Sequence, residues 1–263
     1  MNQSTKPTID LNSDLGESYG DWSMGNDSAM LDIVSSANIA CGFHAGGPEE
    51  MAETIQLCLQ KSVAAGAHPG FDDLRGFGRR RLPVTDHNAL GSQLIYQVGA
   101  FLGMARAGKA KVSHIKIHGA LSNMACEDRQ LSDTCVAAFR KVAPDTPILA
   151  QAGTILEAAA EQNGGSVIRE VFADREYNAD GTLVSRQLPG AVIHDAGYAA
   201  DRVLKMIETQ SITTMDGSSF AVKPESICVH GDNPAAVLMA EKIRLALESA
   251  GVEIRAPGAC LLN

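Results

Sequence analysis

Short apolar runs alternate with longer amphipathic stretches along the whole chain, and that rhythm limits the fold more than any other feature. Candidate strands fall at residues 8–11, 36–41, 63–67, 113–117, 148–151, 166–171 and 226–229. The segments between them read as helices. In the segment that opens at Pro48, the proline suits a first helical position and Glu49 and Glu50 suit the positive helix end. Met51, Ile55, Cys58 and Leu59 there fall on one predicted face. A longer helix is predicted over 85–107, capped by Thr85 or Asp86, with Leu90, Leu94, Val98, Phe101 and Leu102 turned inward. Further helices are expected over 131–142, 154–161, 199–209 and 234–250, the last closed by Gly251.

Strand and helix alternating seven times implies a parallel sheet with right-handed crossovers. Two observations favour a closed sheet over an open one. No Gly-x-Gly-x-x-Gly follows any strand, which removes the dinucleotide-binding version of the open fold. Polar residues also gather where the strands end, which is where barrel enzymes build their sites. The expectation is an α/β fold, an irregular seven-stranded (β/α) TIM-like barrel. Ala179-Asp-Gly181 and Met215-Asp-Gly217 are flanked by strand-like residues, so β-hairpins are expected near 176–195 and 211–224. No linker or repeat divides the sequence, and residues 1–263 read as a single barrel domain.

A chain of 263 residues, 45% of them hydrophobic and 20% charged, has ample material for one such barrel. A net charge of −9 argues against nucleic acid, and Arg79-Arg80-Arg81 is too short a basic cluster to reverse that. No apolar run approaches a membrane span, and residues 1–8 lack the apolar stretch of a signal peptide. Six cysteines without a Cys-x-x-Cys pair read as reduced, buried thiols, and the expected compartment is the cytoplasm.

The predicted strand exits carry the candidate chemistry. The first gives Asn12, Asp14 and Glu17; the second Asn38 and then Cys41-Gly-Phe-His44; the third His68-Pro-Gly70. The fourth gives Lys116 and His118, the sixth Glu170, Asp174 and Arg175, and the seventh His230 and Asp232. Four of the seven histidines thus fall just beyond a strand, at one end of the expected barrel. A single histidine at a strand end is as often structural as functional, and it is the convergence that points to a site. A carboxylate near two imidazoles suits either a general base or a metal ligand set, so Asp14 leaves both open. Lys116 in an apolar strand is costly unless paired or used. Arg79, Arg80 and Arg81 could be solvated or could grip a carboxylate or phosphate. Asn38 reads as a tie rather than a substrate contact, His87 and His114 as structural or surface residues, and His194 is undecided. No Gly-x-Ser-x-Gly elbow and no Gly-x-x-x-x-Gly-Lys-[Ser/Thr] phosphate loop is present, and Cys41 is a minor candidate nucleophile. Acid–base chemistry by His, Asp and Glu, supported by Lys and Arg, remains.

Six motifs in order resemble one family: Ile9-Asp-Leu-Asn-Ser-Asp-Leu-Gly-Glu17; Ala37-Asn-Ile-Ala-Cys-Gly-Phe-His-Ala-Gly46; His68-Pro-Gly70 with Gly76-Phe-Gly-Arg-Arg80; Lys116-Ile-His-Gly-Ala-Leu121; Glu170-Val-Phe-Ala-Asp-Arg175; and Cys228-Val-His-Gly-Asp232. Together they are similar to the LamB/YcsF family of 5-oxoprolinase A-type subunits. That resemblance implies a barrel like those of the glycoside hydrolase/deacetylase group, and ATP-dependent opening of 5-oxo-L-proline to L-glutamate. It also implies two partner subunits, B and C, that phosphorylate the lactam, so that ATP is used by the whole complex. The expected catalytic set is Asp14, His44, His68, Lys116, His118 and His230. Asn12, Glu17, Asn38, Arg79, Glu170, Asp174, Arg175 and Asp232 are expected to bind substrate. The metal requirement stays open: deacetylases of the related barrels suggest an alternative, a stand-alone metal-dependent amidase with Asp14, His44 and His68 as ligands. The family pattern has Pro where Ile117 stands, Tyr where Ser122 stands and Asp where Gly47 stands, departures that bear on the choice of lactam.

Overall fold

The computed structural model describes residues 6–231 and 233–257. In chain order the elements are β1 (Thr8–Leu15), α1 (Asp27–Leu31), β2 (Ser36–Ala40), α2 (Pro48–Lys61), β3 (Ala64–His68), α3 (His87–Ala107), β4 (Val112–Lys116), α4 (Gly119–Glu127), α5 (Arg129–Val142) and β5 (Ile148–Gln151). They continue as α6 (Ile155–Gln162), β6 (Val167–Phe172), α7 (Ala196–Thr209), β7 (Ser211–Thr213), β8 (Ser219–Ala221), β9 (Ser226–Cys228), α8 (Pro234–Ser249) and β10 (Glu253–Ile254). Parallel pairing runs β1-β2-β3-β4-β5-β6-β9 and returns from β9 to β1, closing a seven-stranded barrel. The short β10 adds parallel to the start of β1, at Thr8 and Ile9.

Strand geometry sends alternate residues to opposite faces, and here the two faces differ in kind. Leu11, Ile39, Ala67, Ile115 and Ile227 point outward into one hydrophobic core shared with the helices, where Leu94, Phe101, Leu121 and Phe139 are fully buried. The intervening residues are polar and bond to one another across the barrel. Asp10, Asn12 and Asp14 of β1 meet Ser36 and Asn38 of β2, Ser226 of β9 and Lys116 of β4. An apolar filling, the usual solution for a small barrel, is therefore replaced in part by a hydrogen-bonded stack. Close packing of that stack explains Gly66, where a Cβ would collide with the His114 ring.

The helices follow their sequence signals. Pro48 opens α2, Asp86 caps α3 by accepting from Asn88 and Ala89 amides, and Asp128 caps α5 through Leu131. Met51, Ile55 and Cys58 are buried as expected, but Leu59 is exposed because Thr54, not Leu59, completes the inward stripe. Helices α1 and α4 and strand β10 lie outside the sequence expectation. α1 and α4 are only 5 and 9 residues long, too short for a helical period to show, and β10 is just 2. Of the two insertions, β7 and β8 pair antiparallel. The segment 176–195 instead makes only isolated bridges, Arg175 to Val192 and Tyr177 to Leu183. It is moored by Gln151 Nε2 donating to Gly181 O at 2.6 Å and by the Phe172 amide donating to the Tyr177 hydroxyl at 2.7 Å. No helix among the described residues is long and apolar enough to cross a membrane.

Candidate active site

Lys116 ends β4 and points into the upper barrel, where it is the hub of the site. Its Nζ lies 2.8 Å from Glu170 Oε1, 3.0 Å from Asp14 Oδ1, 3.3 Å from Asn12 Oδ1 and 3.2 Å from Cys228 Sγ. Burial works against the ammonium, but Asp14, Cys228 and Glu170 outweigh it and hold Lys116 well above the ordinary lysine range. Burial likewise opposes the Asp14 carboxylate, yet His68 and Lys116 outweigh it and hold Asp14 well below its ordinary range. Glu170 moves the other way: burial raises it despite Lys116. Asn38 fixes the arrangement, donating 2.8 Å bonds to both Asn12 Oδ1 and Asp14 Oδ1 while its own oxygen accepts from His114 Nε2 at 2.6 Å. The sequence reads Asn38 as a tie to backbone and His114 as structural or surface; here Asn38 bonds side chains and His114 is buried. Asn12, Asn38 and Glu170, expected to bind substrate, are buried and do not line the cleft; their side chains bond Lys116, Asp14 and one another.

Three imidazoles converge beside Asp14. His68 ends β3, His118 follows β4 and His44 lies in the turn after β2; adjacent parallel strands thus bring together residues separated by up to 74 positions. His118 Nδ1 is 3.0 Å from His68 Nε2, and Glu17 Oε1 lies 3.3 Å from His44 Nε2 and 3.4 Å from His118 Nδ1. His68 Nε2 also lies 3.2 Å from Asp14 Oδ2. His44 stacks on His118 with ring centroids 3.7 Å apart. Burial, with help from neighbouring imidazoles, keeps His44 and His118 well below the ordinary histidine range, and burial raises Glu17. The turn that delivers His118 needs glycine next to it. Gly119 has φ +56°, and a Cβ there would sit 2.7 Å from Gly78 O. Glu17, expected at the substrate, lies against the imidazoles, and among the described residues Glu17, His44, His68 and His118 form a group able to hold a metal ion, with Asp14 beside His68.

Above this floor opens a cleft of about 790 Å³, with Lys116 and Asp14 at its base and Arg79, Arg175 and Arg186 along its walls. All three consecutive arginines line the cleft; Arg80 is paired with Asp73 and Arg81 with Glu127, which leaves Arg79 without a carboxylate partner among the described ion pairs. Arg175 is buried and donates to Val184 O at 2.6 Å, and burial with nearby Arg186 brings it down to about 10. His230 Nδ1 donates to Asp174 Oδ2 at 2.7 Å, and its Nε2 faces Arg186 Nη2 at 3.4 Å. Burial opposes the His230 proton, but Asp174 outweighs it and raises His230. Asp174 therefore orients His230 instead of lining the cleft. Arg186 was missed by sequence reasoning because a lone arginine in an irregular insertion carries no local signal. Asp232 lies outside the described residues. Cys41 is no nucleophile at neutral pH, since burial pushes its thiol up to about 12. His87 bonds Thr134 Oγ1 at 2.9 Å, away from the site, and His194 is exposed.

The profile of the LamB/YcsF family matches residues 9–261. The chain belongs to the LamB/YcsF family. Within that family it is similar to a Ruegeria pomeroyi protein that bears the name of the 5-oxoprolinase A-type subunit, 49% identical over 94% of this chain and 98% of that one. A second relative of the same name, from Natranaerobius thermophilus, is 45% identical over 95% of this chain and 97% of its own length. Among solved structures, the lactam utilization protein of Thermus thermophilus superposes with a TM-score of 0.89 at 40% identity, covering 95% of this chain and 99% of that one. The relatives' names describe one component of a larger enzyme. Set against the family pattern given above, Ser122 lines the cleft where the pattern has Tyr. Gly47 is the N-cap of α2, without a side chain to bond the first helical amides. The missing Tyr thus concerns the space for substrate, and the missing Asp concerns a helix cap.

Proposed function

We propose that this chain is the lactam-opening subunit of an ATP-dependent 5-oxoprolinase, converting 5-oxo-L-proline to L-glutamate in the cytoplasm with partner subunits of the B and C type. The relatives' names support the reading, and one observation carries it. An ionised Asp14 beside Lys116 lies in a cleft that five arginines line, two of them paired with carboxylates, a setting for a small anionic electrophile. The sequence has no phosphate loop of its own, in keeping with ATP being used by the partners to phosphorylate the lactam oxygen.

An unstrained lactam is stabilised by resonance, and phosphorylation of its oxygen makes the ring carbon electrophilic. Water adds to that carbon, the ring C–N bond breaks as nitrogen takes up a proton, and a second water releases phosphate from the resulting acyl phosphate. Asp14, held ionised, is placed to orient and deprotonate water with His68. Lys116 and Arg79 neutralise charge that develops on oxygen and phosphate. His230 is better suited than His118 to protonate nitrogen: Asp174 favours its doubly protonated form, whose Nε2–H reaches substrate once the exposed Arg186 side chain moves off it, whereas His118 Nε2 donates to Phe77 O at 2.9 Å and its other nitrogen faces His68. The test is glutamate release from 5-oxo-L-proline with and without ATP and the two partners. Asp14→Asn should lower the complete system's turnover about 10²–10⁴-fold, and unchanged turnover would remove Asp14 from the base role.

The Glu17–imidazole group favours a second reading, a metal-dependent amidase acting alone. It predicts hydrolysis of an amide by this chain without ATP or partners.

A further inference from the structure

The contact between His68 and His118 poses a physical problem. His68 Nδ1 lies 2.8 Å from Lys116 O, and His118 Nε2 lies 2.9 Å from Phe77 O. A carbonyl oxygen can only accept, so each of those nitrogens carries the ring hydrogen. In the neutral rings, His68 Nε2 and His118 Nδ1 are then bare lone pairs, and they face each other at 3.0 Å in a buried site. Two lone pairs do not attract, so a positive charge belongs between them: a proton on His68 Nε2, which Asp14 Oδ2 at 3.2 Å would also favour, or a metal ion. The same spot receives two more donors, Glu17 Oε1 and His44 Nε2, and all four ligand atoms lie within 4.8 Å of one another.

A single proton would satisfy only one pair of these atoms. Two further separations, 3.3 Å for Glu17 to His44 and 3.4 Å for Glu17 to His118, are too long for charge-assisted hydrogen bonds, which run to about 2.7–2.9 Å. They match a different object. Four ligands at about 2.0–2.1 Å from a tetrahedral metal ion are themselves separated by roughly 3.3 Å. We propose that Glu17, His44, His68 and His118 form a binding site for one divalent cation of the zinc class. Three neutral imidazole nitrogens and one carboxylate oxygen are donors that suit a borderline ion, whereas magnesium or calcium would demand oxygen. The carbonyls of Lys116 and Phe77 supply the outer support that orients two of the rings, and stacking on His118 orients the third. On the open side lies a cavity of about 70 Å³ lined by Asp14, Glu17, His118 and His230, enough for one or two waters at roughly 30 Å³ each.

The cation site shares His68 with the proposed lactam chemistry, so its test reads binding and no turnover. Chelator-treated full-length protein is titrated with Co²⁺ while the visible absorption of the ion is followed, and separately with Zn²⁺ by calorimetry. One equivalent should bind, with the intense spectrum of a four- or five-coordinate N/O site, and Zn²⁺ should displace it. Glu17→Gln and His118→Gln should each weaken binding at least about 100-fold, while His87→Gln, remote from the group, should leave it unchanged. Circular dichroism confirms the fold of each variant. Failure of the folded wild-type protein to take up either ion, binding that survives both cluster substitutions, or a preference for Mg²⁺ would overturn the site. The wild-type titration decides the matter even where a variant fails to fold.

Discussion

Two aspartates four residues apart on β1 face the same barrel interior and behave in opposite ways. Asp10, at the base, is bonded by the hydroxyls of Ser35, Ser36 and Ser226, and burial raises it to about 6. Asp14, near the mouth, faces Lys116 and His68 and is held well below its ordinary range. Strand, orientation and residue type are shared; what differs is the partner. Hydroxyls satisfy a carboxyl group in either protonation state, whereas an ammonium fixes it as an anion. The barrel thus keeps a protonatable carboxyl at one end and an ion-paired carboxylate at the other.

Removing the cation tests this contrast most severely. Lys116→Met strands the Asp14 and Glu170 carboxylates and should cost about 3–5 kcal/mol at pH 7. Part of that loss should return toward pH 5 as the stranded groups take up protons. Urea unfolding at the two pH values measures it, and an equal loss at both would show that the pair is not what holds Asp14 ionised.

Asp10→Asn probes the other end. Because the folded state holds the Asp10 proton more tightly than the unfolded chain, wild-type stability from this group falls as pH rises from about 3.8 to about 6. The Asn variant should therefore gain roughly 2 kcal/mol on the wild type between pH 4 and pH 7, with turnover little changed. Parallel stability–pH curves for the two proteins would contradict the raised Asp10.

Asp174→Asn removes the partner that raises His230, so the alkaline limb of the pH–rate profile of the complete enzyme should move to lower pH. An unmoved limb would assign the acid to another group. The smallest effect is expected at the N-terminus of α2. Gly47→Asp offers a cap, but its Cβ would sit 2.6 Å from Glu50 Oε2 and must displace that carboxylate, so Tm should change by no more than about 1 °C.

Much of this was legible in the sequence. The barrel strands begin and end within a few residues of where alternating apolar runs place them, and His44, His68, His118 and His230 do gather at one end. That agreement has a physical basis: strand exits in a parallel barrel share one rim, so position along the chain translates directly into position in space. The layered polar interior was not legible. Asp10, Ser36 and Ser226 look like strand-end polar residues until closure brings β9 back to β1. The grouping of Glu17 with the imidazoles depends on how the loop after β1 turns, which no periodicity encodes.

Arg186 stands over the cleft on an insertion held by a handful of bonds to Gln151, Phe172 and its own neighbours, none of which sets the pairing of a barrel strand. Substrate preference can therefore drift through changes in this appendage while the acid–base apparatus beneath stays fixed. Selection has a dial here that is separate from the engine.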